Sequence, residues 1–168
     1  MPLDPSRVYD TAADILDCVV AGMEDVYDEY TPAIELPARQ YVHAGDVAWD
    51  CPQVVVTVPE AGLTHAFPGE AASILVCSPP RHVAFEVWIV RCVPSLKDNG
   101  DPPTPEELDA AARTTLTDLW TLAYVLWSKY SDGCWGSTCA SVLFGPVEIV
   151  GPEGTHTAVK ATVFLLIT

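Results

Sequence analysis

The feature that most constrains this chain is the run from His82 to Val93, His-Val-Ala-Phe-Glu-Val-Trp-Ile-Val-Arg-Cys-Val, which is apolar on both of its alternating faces. A strand with one wet face alternates apolar and polar residues, so such a run reads as a central strand of a sheet. Gln53 to Val58 is a β-branched run that Pro59 and Gly62 are expected to close. Ala72 to Cys77 is a weaker strand signal, just before the Pro79-Pro80 turn. The C-terminus reads as a hairpin: Ser141 to Val150, a turn at Gly151-Pro152-Glu153-Gly154, and a return strand over Thr155 to Thr168. In that last strand Thr157, Val159, Ala161, Val163, Leu165 and Ile167 share one face, opposite His156, Lys160 and Thr162.

Two helices supply the layer that such a sheet needs. From residue 6 to 30, Val8, Ala12, Ile15, Leu16, Val19, Met23, Val26 and Tyr30 recur at spacings of three and four, which makes one apolar stripe. Asp10, Asp14, Asp17, Glu24, Asp25 and Asp28 fall on the other side of the wheel, and Thr31-Pro32 is expected to stop the helix. The second helix opens on the capping box Thr104-Pro105-Glu106-Glu107 and ends at Ser131-Asp132-Gly133. Its periodicity points to Leu108, Ala112, Leu116, Leu119, Ala123, Leu126 and Tyr130 as the core stripe. The opposite side carries Thr114, Thr117, Thr121, Val125 and Ser128, with no charge, so this helix reads as covered on both sides. The order helix, strands, helix, two strands predicts an α+β fold: a mostly antiparallel sheet packed with two long helices and ending in a β-hairpin. Residues 1–168 read as a single domain, with a long loop excursion at about 60–70.

Charge narrows the function classes. The chain carries 23 acidic against 8 basic side chains, a formal net charge of −15, on a composition that is 49% apolar. That apolar content excludes intrinsic disorder, and a sequence-reading nucleic-acid binder needs the basic footprint that is missing. No window reaches the ~18 consecutive apolar residues of a membrane helix, and the N-terminal Met1-Pro2-Leu3-Asp4-Pro5-Ser6-Arg7 holds no secretory h-region. Cys18, Cys51, Cys77, Cys92, Cys134 and Cys139 form no Cys-x-x-Cys pair and are expected to be reduced, mostly buried thiols of a cytosolic protein.

Motifs that carry chemistry are scarce. Cys134-Trp135-Gly136-Ser137-Thr138-Cys139 has the makings of half a metal site or a redox pair, but zinc sites need two ligand pairs at short spacing, and the segment reads as a turn. The acids of the first helix lie along a straight face, whereas calcium loops gather oxygens around a glycine turn. There is no Gly-rich phosphate loop, Gly-x-Ser-x-Gly elbow or His-Glu-x-x-His. No catalytic, cofactor or metal residues are assigned, and the chain is not expected to be an enzyme.

Several segments carry a family likeness in this order. An N-terminal helix leads into Leu36-Pro37-Ala38-Arg39-Gln40-Tyr41-Val42 and then Val47-Ala48-Trp49-Asp50-Cys51-Pro52-Gln53. Val87-Trp88-Ile89-Val90-Arg91-Cys92-Val93-Pro94 precedes Pro103-Thr104-Pro105-Glu106-Glu107-Leu108-Asp109, and a terminal hairpin closes the chain. This resembles the tail terminator proteins of long-tailed (siphovirus-type) bacteriophages, in particular those infecting actinobacteria. The likeness covers nearly the whole chain in element order and rests on no catalytic signature. It implies a structural virion protein of the tail and neck, assembled in the host cytoplasm. Such proteins cap the tail tube as a homo-hexameric ring, end its polymerisation and form the interface to the head-tail connector or stopper. DNA passes through the ring without specific binding.

On that footing the uncharged residues Thr114, Thr117, Thr121, Val125 and Ser128, with Arg39 and Arg91, are expected at the subunit interface. Asp10, Asp14, Asp17 and Asp28 are candidates for an acidic channel wall that repels phosphates. Leu63, His65, Phe67 and Pro68 are candidates for a loop contacting the tube or connector. Two alternatives stand beside this reading. One is a head-tail connector or stopper. The other is a small cytosolic enzyme or ligand-binding domain around a Cys/His pocket, with a cysteine served by His65 or His82.

Overall fold

The computed structural model describes residues 5–30, 32–50, 52–63, 81–136 and 141–167. Helix α1 spans Pro5–Tyr27 and α2 spans Pro105–Ser131. The strands are β1 (Arg39–His43), β2 (Gln53–Leu63), β3 (Arg81–Cys92), β4 (Ser141–Glu153) and β5 (His156–Ile167). They form one five-stranded sheet in the order β1-β2-β3-β5-β4, antiparallel except for the β1–β2 pair. The fold is α+β, as the element pattern predicts. The apolar run is the middle strand. Along it, β3 pairs with β5 in unbroken register from Arg81↔Ile167 to Cys92↔His156. Its helix-facing side, Val83, Phe85, Val87 and Ile89, is buried in the core, while on the other side His82, Ala84 and Val90 are buried, Glu86 and Trp88 half-buried and Cys92 exposed.

Both helices pack on one face of the sheet. α1 places Ala12, Ile15, Leu16, Val19, Met23 and Tyr27 in a core shared with Val54, Val56, Phe85, Val87, Val159 and Val163. The helices meet closely at Gly22, where an added Cβ would lie 2.5 Å from Val125 Cγ1 and 2.8 Å from Lys129 Cε. A disulfide joins Cys18 of α1 to Cys134 just beyond α2, with the Cα atoms 6.1 Å apart.

Four expectations are corrected. Pro59 does not end β2. The register slips between Thr57 and Glu60, so the proline sits in a bulge, where its missing N–H costs nothing, and the strand runs on to Leu63. In the hairpin, Gly151-Pro152 likewise lies in a register shift of β4, and the turn tightens to Gly154-Thr155, with Gly154 at φ +60°. α1 ends at Tyr27, ahead of the Tyr30 expected from its stripe. Finally, the cysteines are not all reduced: Cys18 and Cys134 are bridged and Cys92 is disulfide-bonded as well. Pairing depends on which Cα atoms the fold brings within about 7 Å, and a separation of 116 residues hides that from spacing rules. The Ala72–Cys77 strand signal lies outside the described residues.

Candidate interaction surfaces

The rotation of α2 about its axis decides what the molecule shows to its surroundings. Of the expected core stripe, Leu126 is buried and Leu119 and Tyr130 pack against the core, but Leu108, Ala112 and Leu116 are exposed, and the buried residues of the helix are Thr115, Asp118, Thr121, Leu122, Val125 and Leu126. A charged residue on the inward face is what the wheel cannot anticipate. Asp118 is fully buried and accepts two hydrogen bonds from Arg91 of β3, from Nε at 2.8 Å and from Nη2 at 3.0 Å. The Tyr27 hydroxyl of α1 donates to Asp118 Oδ1, and Arg91 Nη1 donates to the carbonyl of Glu35 at 2.7 Å. The guanidinium also lies 5.8 Å from the centre of the Tyr27 ring.

Each group of this network is matched by the others. Burial, reinforced by the Asp118 charge and hydrogen bond, pushes the Tyr27 hydroxyl well above the ordinary tyrosine range, so it stays a donor. Burial works against the Arg91 charge, yet Asp118 outweighs it and raises the guanidinium above its ordinary value. A bidentate pair of this kind fixes direction as well as distance. It holds α1, β3 and α2 in one relative setting and turns a different side of α2 outward.

That outward side is aromatic. Trp120 is 73% exposed, Trp127 61%, Tyr124 59%, Leu116 56% and Leu108 50%. Leu108, Leu116, Trp120 and Tyr124 lie at multiples of four along the helix and Trp127 one turn on, so they form a ridge. Two open apolar grooves run between this ridge and the β4–β5 hairpin. One, of about 390 Å³, is lined by Leu119, Ala123, Trp127, Phe144 and Val147 among others. The second, of about 460 Å³, is lined by Leu108, Ala112, Leu116, Ile149 and Pro152 among others. Phe144 ties the floor of the first groove to the body of the protein. Its ring packs against Trp135 at 5.9 Å, Tyr130 at 5.6 Å and Trp127 at 6.3 Å.

The second surface is acidic. Asp10, Asp14, Asp17, Glu24, Asp25 and Asp28 are all exposed on the side of α1 turned from the sheet, or just past its end. Asp25 pairs with Lys129 of α2 at 3.2 Å, and none of the ion pairs of the described residues involves Asp10, Asp14, Asp17 or Asp28. An unneutralised row of carboxylates repels polyanions and is screened only over about 8–10 Å at ordinary salt.

The remaining candidate residues are distributed as follows. Thr121 and Val125 are buried within the chain, facing α1, while Thr114, Thr117 and Ser128 are half-buried. Arg39 forms an exposed ion pair with Asp50, and Arg91 is committed to Asp118 of its own chain. Leu63 is the last residue of β2, opposite Arg81, and belongs to the sheet. His65, Phe67 and Pro68 lie outside the described residues. His82, named for the Cys/His pocket, is buried, with Nε2 3.1 Å from Glu60 Oε1. Among the described residues no group of three or more potential ligands is placed to hold a metal ion. No described helix is long and apolar enough to cross a membrane.

The exposed aromatics were missed because Trp120, Tyr124 and Trp127 belonged to neither side of the assumed wheel. Their own spacing of four and three was the signal available. Compared with known protein families and with curated proteins, the chain matches none significantly.

Proposed function

We propose that this chain is a structural virion protein, a phage tail terminator. In this reading it caps the tail tube as a homo-hexameric ring, ends tube polymerisation and forms the interface to the head-tail connector, with DNA passing through its channel. The observation that carries the reading is the division of the surface between the two helices: α1 turns outward an acidic row in which only Asp25 is paired, among the described residues, and α2 turns out an aromatic ridge. A ring that encloses moving DNA needs both kinds of surface. Its inner wall must not bind phosphate, since basic walls hold DNA by counterion release. Its subunits must adhere through faces that carry little charge.

The role is tested by electron microscopy of tails assembled with and without the protein. Loss of length control, with tubes that overrun and fail to join heads, is expected in its absence. Tubes of normal, uniform length that end cleanly without it would refute the role.

A further inference from the structure

We propose that the aromatic ridge of α2 and the two grooves beside it seat a second copy of this chain. The proposal deepens the ring reading and rests on it, by naming the contact through which neighbouring subunits adhere.

Size is the first argument. Trp120, Tyr124 and Trp127 are each more than half exposed. At ~150–250 Å² per aromatic side chain they leave roughly 300–500 Å² of aromatic side-chain surface in water. Leu108, Leu116 and Ile149, each 45% exposed or more, extend the patch along α2 and onto β4. The total passes the few hundred Å² usual for the largest patch of a monomer and approaches the ~800 Å² that each partner contributes to a stable complex.

Charge chooses the occupant. A second copy also carries −15, so it can approach only where acids are absent. Between Thr114 and Ser128 the one charged residue of α2 is the buried Asp118, so Leu116, Trp120 and Trp127 give such a lane, bounded by the Asp109–Arg113 pair toward the N-terminus and by Asp25, Glu29 and Asp132 on the α1 side of Tyr124. A cationic partner would instead be drawn to the acidic row of α1. Shape fits a copy as well, because ridge and grooves lie side by side on one face. A Trp120 ridge offered by one subunit finds apolar grooves of about 390 and 460 Å³ beside the ridge of the other.

Light scattering of the purified full-length chain over a range of concentrations tests this. The native chain is expected to assemble, and the double variant Trp120→Glu/Trp127→Glu to require at least ~10-fold higher concentration to do so, the loss typical of truncated hot spots. Circular dichroism and a thermal melt verify that the variant folds. Leu96→Ser, at a residue 69% exposed that lines neither groove, is the control expected to assemble normally. Assembly of the double variant at native concentrations overturns the assignment of this face while leaving a ring intact. A native chain that stays monomeric at every concentration overturns it too, whereas the terminator role is judged separately by tail length.

Discussion

Asp118 of α2 lies 2.8 Å from Nε of Arg91, which reaches it from the middle strand of the sheet, and the carboxylate is wholly removed from water. Taking one member from such a pair strands the other charge in the core, whereas replacing both by apolar groups removes the problem. Arg91→Met is therefore expected to cost about 3–5 kcal/mol of folding stability, and Arg91→Met/Asp118→Leu distinctly less. Urea unfolding of the two variants checks this. Equal losses would mean that the pair does not act as a unit.

Tyr27 sets an alkaline limit. Its folded pKa is raised, chiefly by burial, while in the unfolded chain it ionises near pH 10. The folded state thus retains a proton that the unfolded state gives up. The stability from this group is complete below about pH 10 and declines as pH rises beyond it. The urea midpoint of the native chain should fall between pH 9 and pH 11, and Tyr27→Phe should lose less over the same interval. Parallel pH profiles for the two proteins would contradict the assignment.

Gly22 is a contact residue by virtue of having no side chain. Alanine there meets Val125 and Lys129, so overpacking of about 1–3 kcal/mol opposes a gain of up to about 1 kcal/mol in helix propensity. Gly22→Ala should lower the melting temperature, and adding Val125→Ala should recover part of what the first change costs. A double-mutant cycle reads the coupling.

Bridging Cys18 to Cys134 closes a separation of 116 residues. Loop-closure entropy for a ring of that size predicts about 3–5 kcal/mol, through restriction of the unfolded chain. Cys18→Ser/Cys134→Ser should unfold at correspondingly lower denaturant, and reductant should depress the native midpoint but have a smaller effect on the variant. Indifference of the native protein to reductant would count against the bridge.

The elements were legible in the sequence because their signals are local. The capping box of Thr104 and Glu107 forms as expected, with both reciprocal hydrogen bonds present, and the α1 stripe faces the core. His82–Val93 announced a middle strand by composition alone. What escaped was set by distant partners. Arg91 and Asp118 lie 27 residues apart, and their attraction turns α2 away from the face that hydrophobicity favours. Pro59 looked like a terminator, since a bulge is a property of two strands and not of one. The acidic row is legible as a face turned from the sheet, because five carboxylates along one side of a helix, with Asp28 just past its end, have nowhere else to go. The spacing of Trp120, Tyr124 and Trp127 puts them on one side of α2, but that this side faces outward follows only from the rotation that Asp118 sets.

The outermost strand, β4, carries a proline in each of its two register shifts, Pro146 and Pro152. Each removes a backbone donor and bends the strand at the rim where another chain could otherwise add itself. Backbone pairing along this margin is therefore interrupted at two points, leaving only the short runs Ser141–Phe144 and Val147–Val150. A protein that exposes tryptophans beside a bare sheet margin would risk growing into fibrils without limit, and these two kinks separate adhesion from runaway growth.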